Sequence, residues 1–473
     1  MSKKDIGAHK NLMHVANLKE LCSHGHRALR REALAIATAG LTACDSARAT
    51  AGAVSLSENG ITIAGVEYPL LPDARLVVLG AGKATRPIAE ALERALGDRI
   101  DGGAVILRRG DAASLEKLEV YVADHPLPTD ESVTGARRLE ELAGALGPDD
   151  LVLASFTGGS SALACLPPEG ISFEAKRQLH SALLGSGMPI ADVNSVRKHC
   201  SSIKGGRLAA RIAPARIVNL TVSDVAGDQL DVLTDPTVKD TSTVADAVSV
   251  LDDYGLWDEL APSIRDFLRS PRAASPDLDG VEITTELLVT GMTVCHAMIE
   301  QAEQLGYSPV VLSTTFEGEA REMGRFVANL ASSSSKYGYP FAPGTVLLGC
   351  GGENSVAIAG EGTFGSGGPG QEAALAAAME LNRSRVVALF MDTDGSDGGT
   401  DAAGAIADGM TAERASELEL DLRGTLLNHS SMEPLDRLGD LIVTGATGTN
   451  VNDLFVAVVG DSNVEADRRG ALV

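Results

Sequence analysis

The sequence predicts a two-domain α/β protein, on three observations. Short runs of apolar residues, read as fully buried strands, alternate with stretches whose apolar residues recur at helical spacing. Glycine is abundant, at 51 residues, and gathers in loops where those strands end. The chain has 473 residues, more than one ordinary core organises.

The elements follow in order. Residues 1–26 read as a polar leader. Arg27 to Ala47 reads as a helix, with Leu29, Ala33, Ile36, Ala37 and Leu41 on one face. Leu76-Val77-Val78-Leu79 is a strand ending in Gly80-Ala81-Gly82-Lys83, and a helix follows from Thr85 to Leu96. Strands are predicted over 103–107, 118–122, 151–156 and 217–222, with a helix over 131–146. Continuous apolar strands between helices mean a parallel sheet covered on both faces. The Pro-rich stretch 270–280 marks the boundary, giving domains over 27–275 and 276–473. A helix over 286–305 opens the second α/β series, with strands over 310–312, 346–348, 386–390, 441–443 and 455–459. The serine run 332–335 reads as a loop tip.

Composition excludes several classes. The formal net charge is −24, so neither nucleic acid nor an anionic membrane surface is an expected partner. Arg outnumbers Lys and acids outnumber both, a balance like that of salt-adapted cytoplasmic proteins. The six cysteines are scattered without a CxxC pair, which suits a reduced, cytoplasmic protein rather than a disulfide framework or zinc site. The N-terminus lacks the apolar core of a signal peptide, and no run of about 18 apolar residues suggests a membrane span.

The residues that carry chemistry sit at strand ends, where ligands of open parallel sheets bind. Their recurrence in both halves predicts a cleft between the domains. Gly80 and Gly82 would bring backbone amides to an anion, with Lys83 as a mobile charge; a tight turn with a solvated lysine is the alternative. Ser160 and Ser161 follow Gly158-Gly159, a nest suited to phosphate or carboxylate, or an N-capped turn. His125, stiffened by Pro126 and Pro128, is either a substrate ligand or base, or structural. Asn194, Arg197, Lys198, Lys204 and Arg207 form a basic island in an acidic chain, fit for an anionic substrate or balanced by nearby acids. Asp224 and Asp228 are candidate bases or metal ligands, or an Asx-turn. Gly351, Gly352 and Glu353, then Gly367, Gly368 and Gln371 ahead of a helix, then Thr449 and Asn450, make three more polar loops. Asp394, Asp397 and Asp401 crowd carboxylates onto one turn, which either is a solvated acidic turn or suits Mg²⁺ and a nucleotide phosphate.

Together these loops resemble the glycerate 2-kinase family, the class II glycerate kinases with a C-terminal MOFRL domain. The resemblance spans about residues 27–460. It rests on GAGKA at 80–84, HPLP at 125–128, TGGSSAL at 157–163, NSVRKHCSSIKGGRLA at 194–209, SDVAGD at 223–228, GGE at 351–353, TDGSDGGTDAAGA at 393–405 and TGTNVND at 447–453. It implies a Rossmann-like N-terminal domain, a C-terminal α/β MOFRL-type domain, and ATP- and Mg²⁺-dependent phosphorylation of D-glycerate to 2-phosphoglycerate. It implies a catalytic role for Lys83, substrate-anion contacts from the 194–207 segment, and metal binding by Asp394 and Asp397. Two departures stand out: Pro369 replaces the Arg of a GGRNQE motif, and Thr234-Asp235-Pro236-Thr237 replaces SGPT.

The leading expectation is a cytoplasmic kinase of a small sugar acid, most simply D-glycerate, with ATP and Mg²⁺ and with room for a homodimer. A kinase of a longer aldonate is the alternative raised by Pro369. An NAD(P)H-dependent hydroxypyruvate reductase is a further alternative, but GxGxxG is incomplete and the second strand ends in Arg108-Arg109 rather than an acid. A non-catalytic anion binder would not need the acidic loops.

Overall fold

The computed structural model describes residues 15–111, 115–223, 225–230, 233–358 and 364–461. Packing divides the chain into two compact units: one runs from Ser46 to Leu288, the other joins residues up to Asp45 with those from Val289 onward. The division predicted at 27–275 and 276–473 therefore differs from the one that packing draws. The cause is helix α1 (Arg27–Ala43), whose buried stripe of Leu29, Ala33, Leu34, Ile36, Ala37 and Leu41 lies against elements of the second half.

The Ser46–Leu288 unit holds a six-stranded sheet. Strand β1 (Leu76–Ala81) leads into α2 (Thr85–Leu96), then β2 (Gly102–Arg108), β3 (Glu119–Ala123), α3 (Asp130–Ala143) and β4 (Leu151–Phe156). A single-turn helix α4 (Ser160–Leu163) follows, then α5 (Phe173–Gly185), α6 (Ile190–His199), α7 (Arg207–Ile212), β5 (Arg216–Val222) and β6 (Ile283–Val289). The strand order is β3-β2-β1-β4-β5-β6, and the first five run parallel. That is the dinucleotide-fold order, as expected. Every residue of β1 and β4 is buried, which explains their unbroken apolar runs. Val77, Leu79, Ala104, Ile106, Val152 and Ala154 meet Ala136, Leu139 and Ala143 of α3 in one core. A fully buried leucine such as Leu139 contributes roughly 1.5–3 kcal/mol there. The predicted helix over 286–305 begins later, because residues 283–289 form β6.

The other unit adds α8 (Gly291–Gln304), β7 (Ser308–Ser313), α9 (Ala320–Tyr337), β8 (Thr345–Ser355), α10 (Pro369–Glu380), β9 (Val386–Asp392), β10 (Gly404–Asp408), β11 (Leu441–Ile442) and β12 (Asp453–Val459). The strand order is β7-β8-β12-β9-β10-β11, with the short strand Glu317–Glu319 on β8. Among the described residues only β7 and Glu317–Glu319 pair in parallel with β8; β12 enters between β8 and β9 antiparallel to both. Helices α1 and α8 pack together beside the sheet, and α9 packs on α10. The serine run 332–335 is not a loop tip: it lies inside α9, where Ser334 and Ser335 are buried and their hydroxyls donate to Leu330 O and Gly460 O.

A buried ionic network fixes α1 in this unit. The Arg30 guanidinium is fully buried and bonds Asp408 at the end of β10 and, at 2.7 Å, Asp440. Burial alone would raise the Asp408 carboxyl, but Arg30 and the amides of His26 and Met410 hold it below the ordinary carboxylate range.

Candidate active site

The strand order reverses between β1 and β4. Loops leaving these neighbours run to opposite sides of the sheet, which opens a crevice at its carboxyl edge. Two predicted loops flank this point and are tied together. Lys83 N donates to Gly158 O at 2.8 Å, Ala84 N donates to Thr157 Oγ1 at 3.1 Å, and Thr157 N donates to Ala81 O at 3.0 Å. A Cβ on Gly82, where φ is +141°, would lie 2.1 Å from Thr157 Oγ1, and one on Gly80 would lie 2.6 Å from Ser155 O. The two glycines are thus required by loop-to-loop packing. The amides of Lys83 and Ala84, next to the Gly80–Gly82 turn expected to meet an anion, bond within the protein.

What the crevice presents is side chains. A Cβ on Gly159 would lie 3.1 Å from the His125 ring and 3.5 Å from Lys83 Cγ. Three separate motifs therefore meet at one residue. Gly159 is left-handed (φ +85°) and starts α4, which carries Ser160 and Ser161. Ser161 Oγ is buried without a hydrogen-bond partner, a hydroxyl suited to a ligand oxygen.

The basic segment splits by the partners its side chains meet. His180 Nε2 of α5 lies 3.1 Å from Pro126 O and 3.3 Å from Arg197 Nη2, so Arg197 sits behind the His125 loop. Arg197 Nη1 donates to Asn194 Oδ1 at 3.3 Å, while Arg197 Nε and Ser195 Oγ have no partner. Lys204 Nζ donates to Ala164 O at 2.5 Å, just past α4. Burial pulls Lys204 down to about 7, Arg197 to about 10 and His180 to about 3. Two predicted contacts turn elsewhere. The Lys198 ammonium pairs with buried Asp240 at 2.6 Å. The Arg207 guanidinium donates to the carbonyls of Lys198, Lys204, Ala273 and Ala274. Both of these residues, expected as substrate ligands, thus have partners within the segment and its neighbours.

Asp224 lies outside the described residues. Asp228 is exposed on the loop after β5. That loop starts beside the crevice, since Thr221 Oγ1 of β5 donates to Phe156 O at the end of β4. The unusual Asp235 turns inward: it is fully buried, and its Oδ1 lies 2.7 Å from both Thr237 N and Thr237 Oγ1. That hydroxyl also lies 2.7 Å from Asn219 Oδ1 and has one proton for two acceptors, so a protonated Asp235 completes the network. Burial raises its carboxyl to about 6 from 3.8. The protonated form is favoured below 3.8, and that advantage is lost as pH rises through about 6. The ionised group then costs about 3 kcal/mol. Asp235→Asn should therefore raise the melting midpoint by several degrees at pH 8 and leave it unchanged near pH 4; equal midpoints at pH 8 would contradict this.

In the other unit, the loop 393–400 and the loop 447–453 are joined. Thr447 Oγ1 donates to Thr393 O at 2.6 Å, and Thr393 Oγ1 accepts from Val451 N at 2.8 Å. Thr449 is buried, with its hydroxyl unpartnered, and Asn450 Oδ1 accepts from Asn452 N. Asp397 is buried and bonds to the main chain. Its two oxygens accept from Gly370 N at 3.0 Å and Gln371 N at 2.8 Å, in the first turn of α10. A Cβ on Gly368 would lie 2.2 Å from Asp397 Oδ1, and Gln371 Nε2 donates to Thr400 Oγ1. The N-terminus expected to hold a nucleotide phosphate thus already holds this carboxylate. Gly368 and Gln371, read as nucleotide ligands, and Asp397, read as a metal ligand, are thus brought together by these bonds. Gly367 precedes them, and Pro369 takes the first helical position, where the missing N–H is unneeded.

Asp394 remains half-buried, with Asp394 N donating to Asp392 Oδ1 and Ser396 N donating to Asp394 Oδ1. Asp392 and Asp453 are direct cross-strand neighbours, and exposed Glu353 lies near, beyond Gly351 and Gly352 at the end of β8. Burial, with Asp392, Asp397 and Glu353 around it, drives the Asp453 carboxyl well above the ordinary range. Carboxylates crowded in this way suit a cation. Among the described residues no group of three or more ligating side chains is close enough to hold a metal. Asp392 is the member outside every quoted motif, and Asp453 is the last residue of the 447–453 motif; the signal for Asp392 is its placement opposite Asp453 at the facing ends of two apolar strands.

The family model described as a domain of unknown function (DUF4147) matches residues 32–269, and the MOFRL family model matches residues 346–453. The chain is 36% identical over 436 residues to the glycerate 2-kinase of Pyrococcus horikoshii, covering 91% of this chain and 97% of that one. A protein of Agrobacterium vitis with the provisional name hydroxypyruvate reductase is 39% identical over 394 residues, covering 83% and 89%. The crystal structure of a glycerate kinase from Thermotoga maritima superposes with a TM-score of 0.77 at 35% identity, covering 90% of this chain and 97% of that one.

Proposed function

The chain belongs to the glycerate 2-kinase family, and on that premise we propose that it transfers the γ-phosphoryl group of ATP to the 2-hydroxyl of D-glycerate. The observation that carries this reading is the meeting of Lys83 and His125 at Gly159, on the switch point of the sheet, with Arg197 and Lys204 buried behind. Phosphoryl transfer needs positioning and charge neutralisation more than covalent chemistry. The substrate oxygen attacks phosphorus, the bond to the ADP oxygen breaks, and the hydroxyl proton leaves to a base. Lys83 supports the charge on the transferring group. His125, Ser160 and Ser161 orient the substrate, and Asn194, Arg197 and Lys204 face its carboxylate. Asp228, on the loop that starts beside the crevice, takes the hydroxyl proton. Glu353, Thr449 and Asn450 lie on loops suited to the nucleotide.

Mg²⁺, when bound, would neutralise phosphate oxygens. Asp394, and the neighbouring pair Asp392 and Asp453 whose repulsion a cation would relieve, are the residues to supply one or two ligands to it. One or two carboxylates plus phosphates is the ordinary Mg²⁺ set, so a three-ligand protein cage is not required.

The aldonate reading keeps one observation in its favour, Pro369 where the family motif has Arg. The reductase reading loses ground, because Arg108 pairs with Asp111 at 3.3 Å and Arg109 with Asp124 at 2.7 Å, at the strand end where an acidic residue would bind a ribose. A cytoplasmic site of action accords with six free cysteines. Among the described residues no helix is long and apolar enough to cross a membrane. The regiochemistry is tested by ³¹P NMR of the product: coupling to the methine proton at C2 is expected, and coupling to the C3 methylene protons would overturn the assignment to the 2-hydroxyl.

A further inference from the structure

Behind the crevice lies a group of buried cations, of which Arg207 has the Asp240 carboxylate within electrostatic reach. Lys176 of α5 is 2% exposed, and its Nζ has no hydrogen-bond partner. It lies within electrostatic reach of Arg197 on α6, of Lys204, of Arg207 on α7 and of His180 one turn along α5. The acidic groups that face it are the thiols of Cys165 and Cys200, and burial pushes the Cys200 thiol up, so it stays neutral. Among the described residues, neither Lys176, Arg197 nor Lys204 pairs with a carboxylate, whereas adjacent Lys198 does. An unpaired buried ammonium is costly, and three cations together more so. Four buried donors near this point also lack partners: Lys176 Nζ, Arg197 Nε, Ser195 Oγ and Ser161 Oγ. The group lies behind Pro126, through His180, and beside Ala164, through Lys204.

We propose that Lys176 is a substrate-binding residue whose buried charge is completed by the substrate's carboxylate, together with Arg197 and Lys204. This rests on the sugar-acid reading above and adds to it a residue outside every motif. It also predicts proton-linked binding. Burial holds Lys204 at about 7 and lowers Lys176 from its ordinary value. An anion arriving among them favours their charged forms. Binding above pH 7 must therefore take up protons, and the apparent affinity must fall as pH rises from 7 to 9.

The test is calorimetric titration of the full chain with D-glycerate, and separately with inorganic phosphate, at pH 6 and pH 8 in buffers of different ionisation enthalpy. The wild type should take up about one proton at pH 8 and far less at pH 6. Lys176→Met should weaken D-glycerate binding at least ten-fold, leave ADP binding unchanged and melt no lower than wild type, since an unpaired buried charge is gone. Absence of proton uptake by the wild type at pH 8 would overturn the proposal, even if the variant fails to fold. Equal D-glycerate affinity in Lys176→Met would overturn it and leave the kinase reading standing. Parallel loss of ADP binding and of stability would reduce Lys176 to a structural role and also overturn it. Lysine-dependent, proton-linked binding of phosphate but not of D-glycerate would uphold the anion site and sink the choice of substrate.

Discussion

Replacing Lys83 by alanine should lower kcat at least 100-fold while the fold survives. The size follows from its place: removing one group aimed at developing charge in a preorganised site costs about 10²–10³ in kcat. The fold survives because Lys83 holds its loop through the main chain, and its N–H to Gly158 O bond is kept in the variant. The half-buried side chain packs near Gly159 rather than in the core. Steady-state kinetics with ATP and D-glycerate, with a melting curve of the same sample, checks this. KM for both substrates should move less than kcat, since the role is in the transition state. A variant with normal melting and near-normal kcat would remove Lys83 from the mechanism.

Arg30→Ala should cost about 3–5 kcal/mol of stability, the ordinary loss when one partner of a buried ionic cluster is removed. The residue bridges Asp408 and Asp440, each fully buried. Arg414 and His24 also reach Asp440, so Asp408 is the carboxylate left most exposed to the loss. Sign and window follow from Asp408, whose carboxyl is depressed in the folded protein. Its contribution is present above the ordinary carboxylate range and fades as pH falls through it, so the gap between variant and wild type should narrow below about pH 4. Urea denaturation at pH 7 and pH 3.5 measures both. A loss under 1 kcal/mol at pH 7 would mean that α1 is held by apolar packing alone.

The sequence discloses the sheet of the Rossmann-like unit well, because strands covered on both faces must be apolar throughout. It does not disclose strand direction in the other unit, because β8, β9 and β12 are equally apolar whether paired parallel or antiparallel. Gly404–Asp408 went unread as a strand, since its small residues resemble the glycine-rich turn before it. Ser332–Ser335 shows burial overriding a weak propensity: α9 is helical there because Val327, Ala328, Ala331 and the two inward serines pack.

The site was legible as a set of loops but not as a set of roles. Glycine pairs look alike in sequence whether they admit a ligand or another loop, and Gly82 and Gly368 admit Thr157 and Asp397. Lys198 and Lys204 are six residues apart in one basic run, yet one has Asp240 and the other a carbonyl. Lys176 sits in Phe173-Glu174-Ala175-Lys176-Arg177, which reads as an ordinary solvated helix. Only the fold turns that lysine inward, toward Arg197.

The measurement that bears most directly on the central claim is ADP release with ATP and Mg²⁺, with D-glycerate beside a panel of four- to six-carbon sugar acids. Saturable ADP release on D-glycerate, abolished in Lys83→Ala, is the predicted result. No ADP release with any acid of the panel, together with NADPH oxidation by hydroxypyruvate, would contradict the assignment of this chain as a kinase.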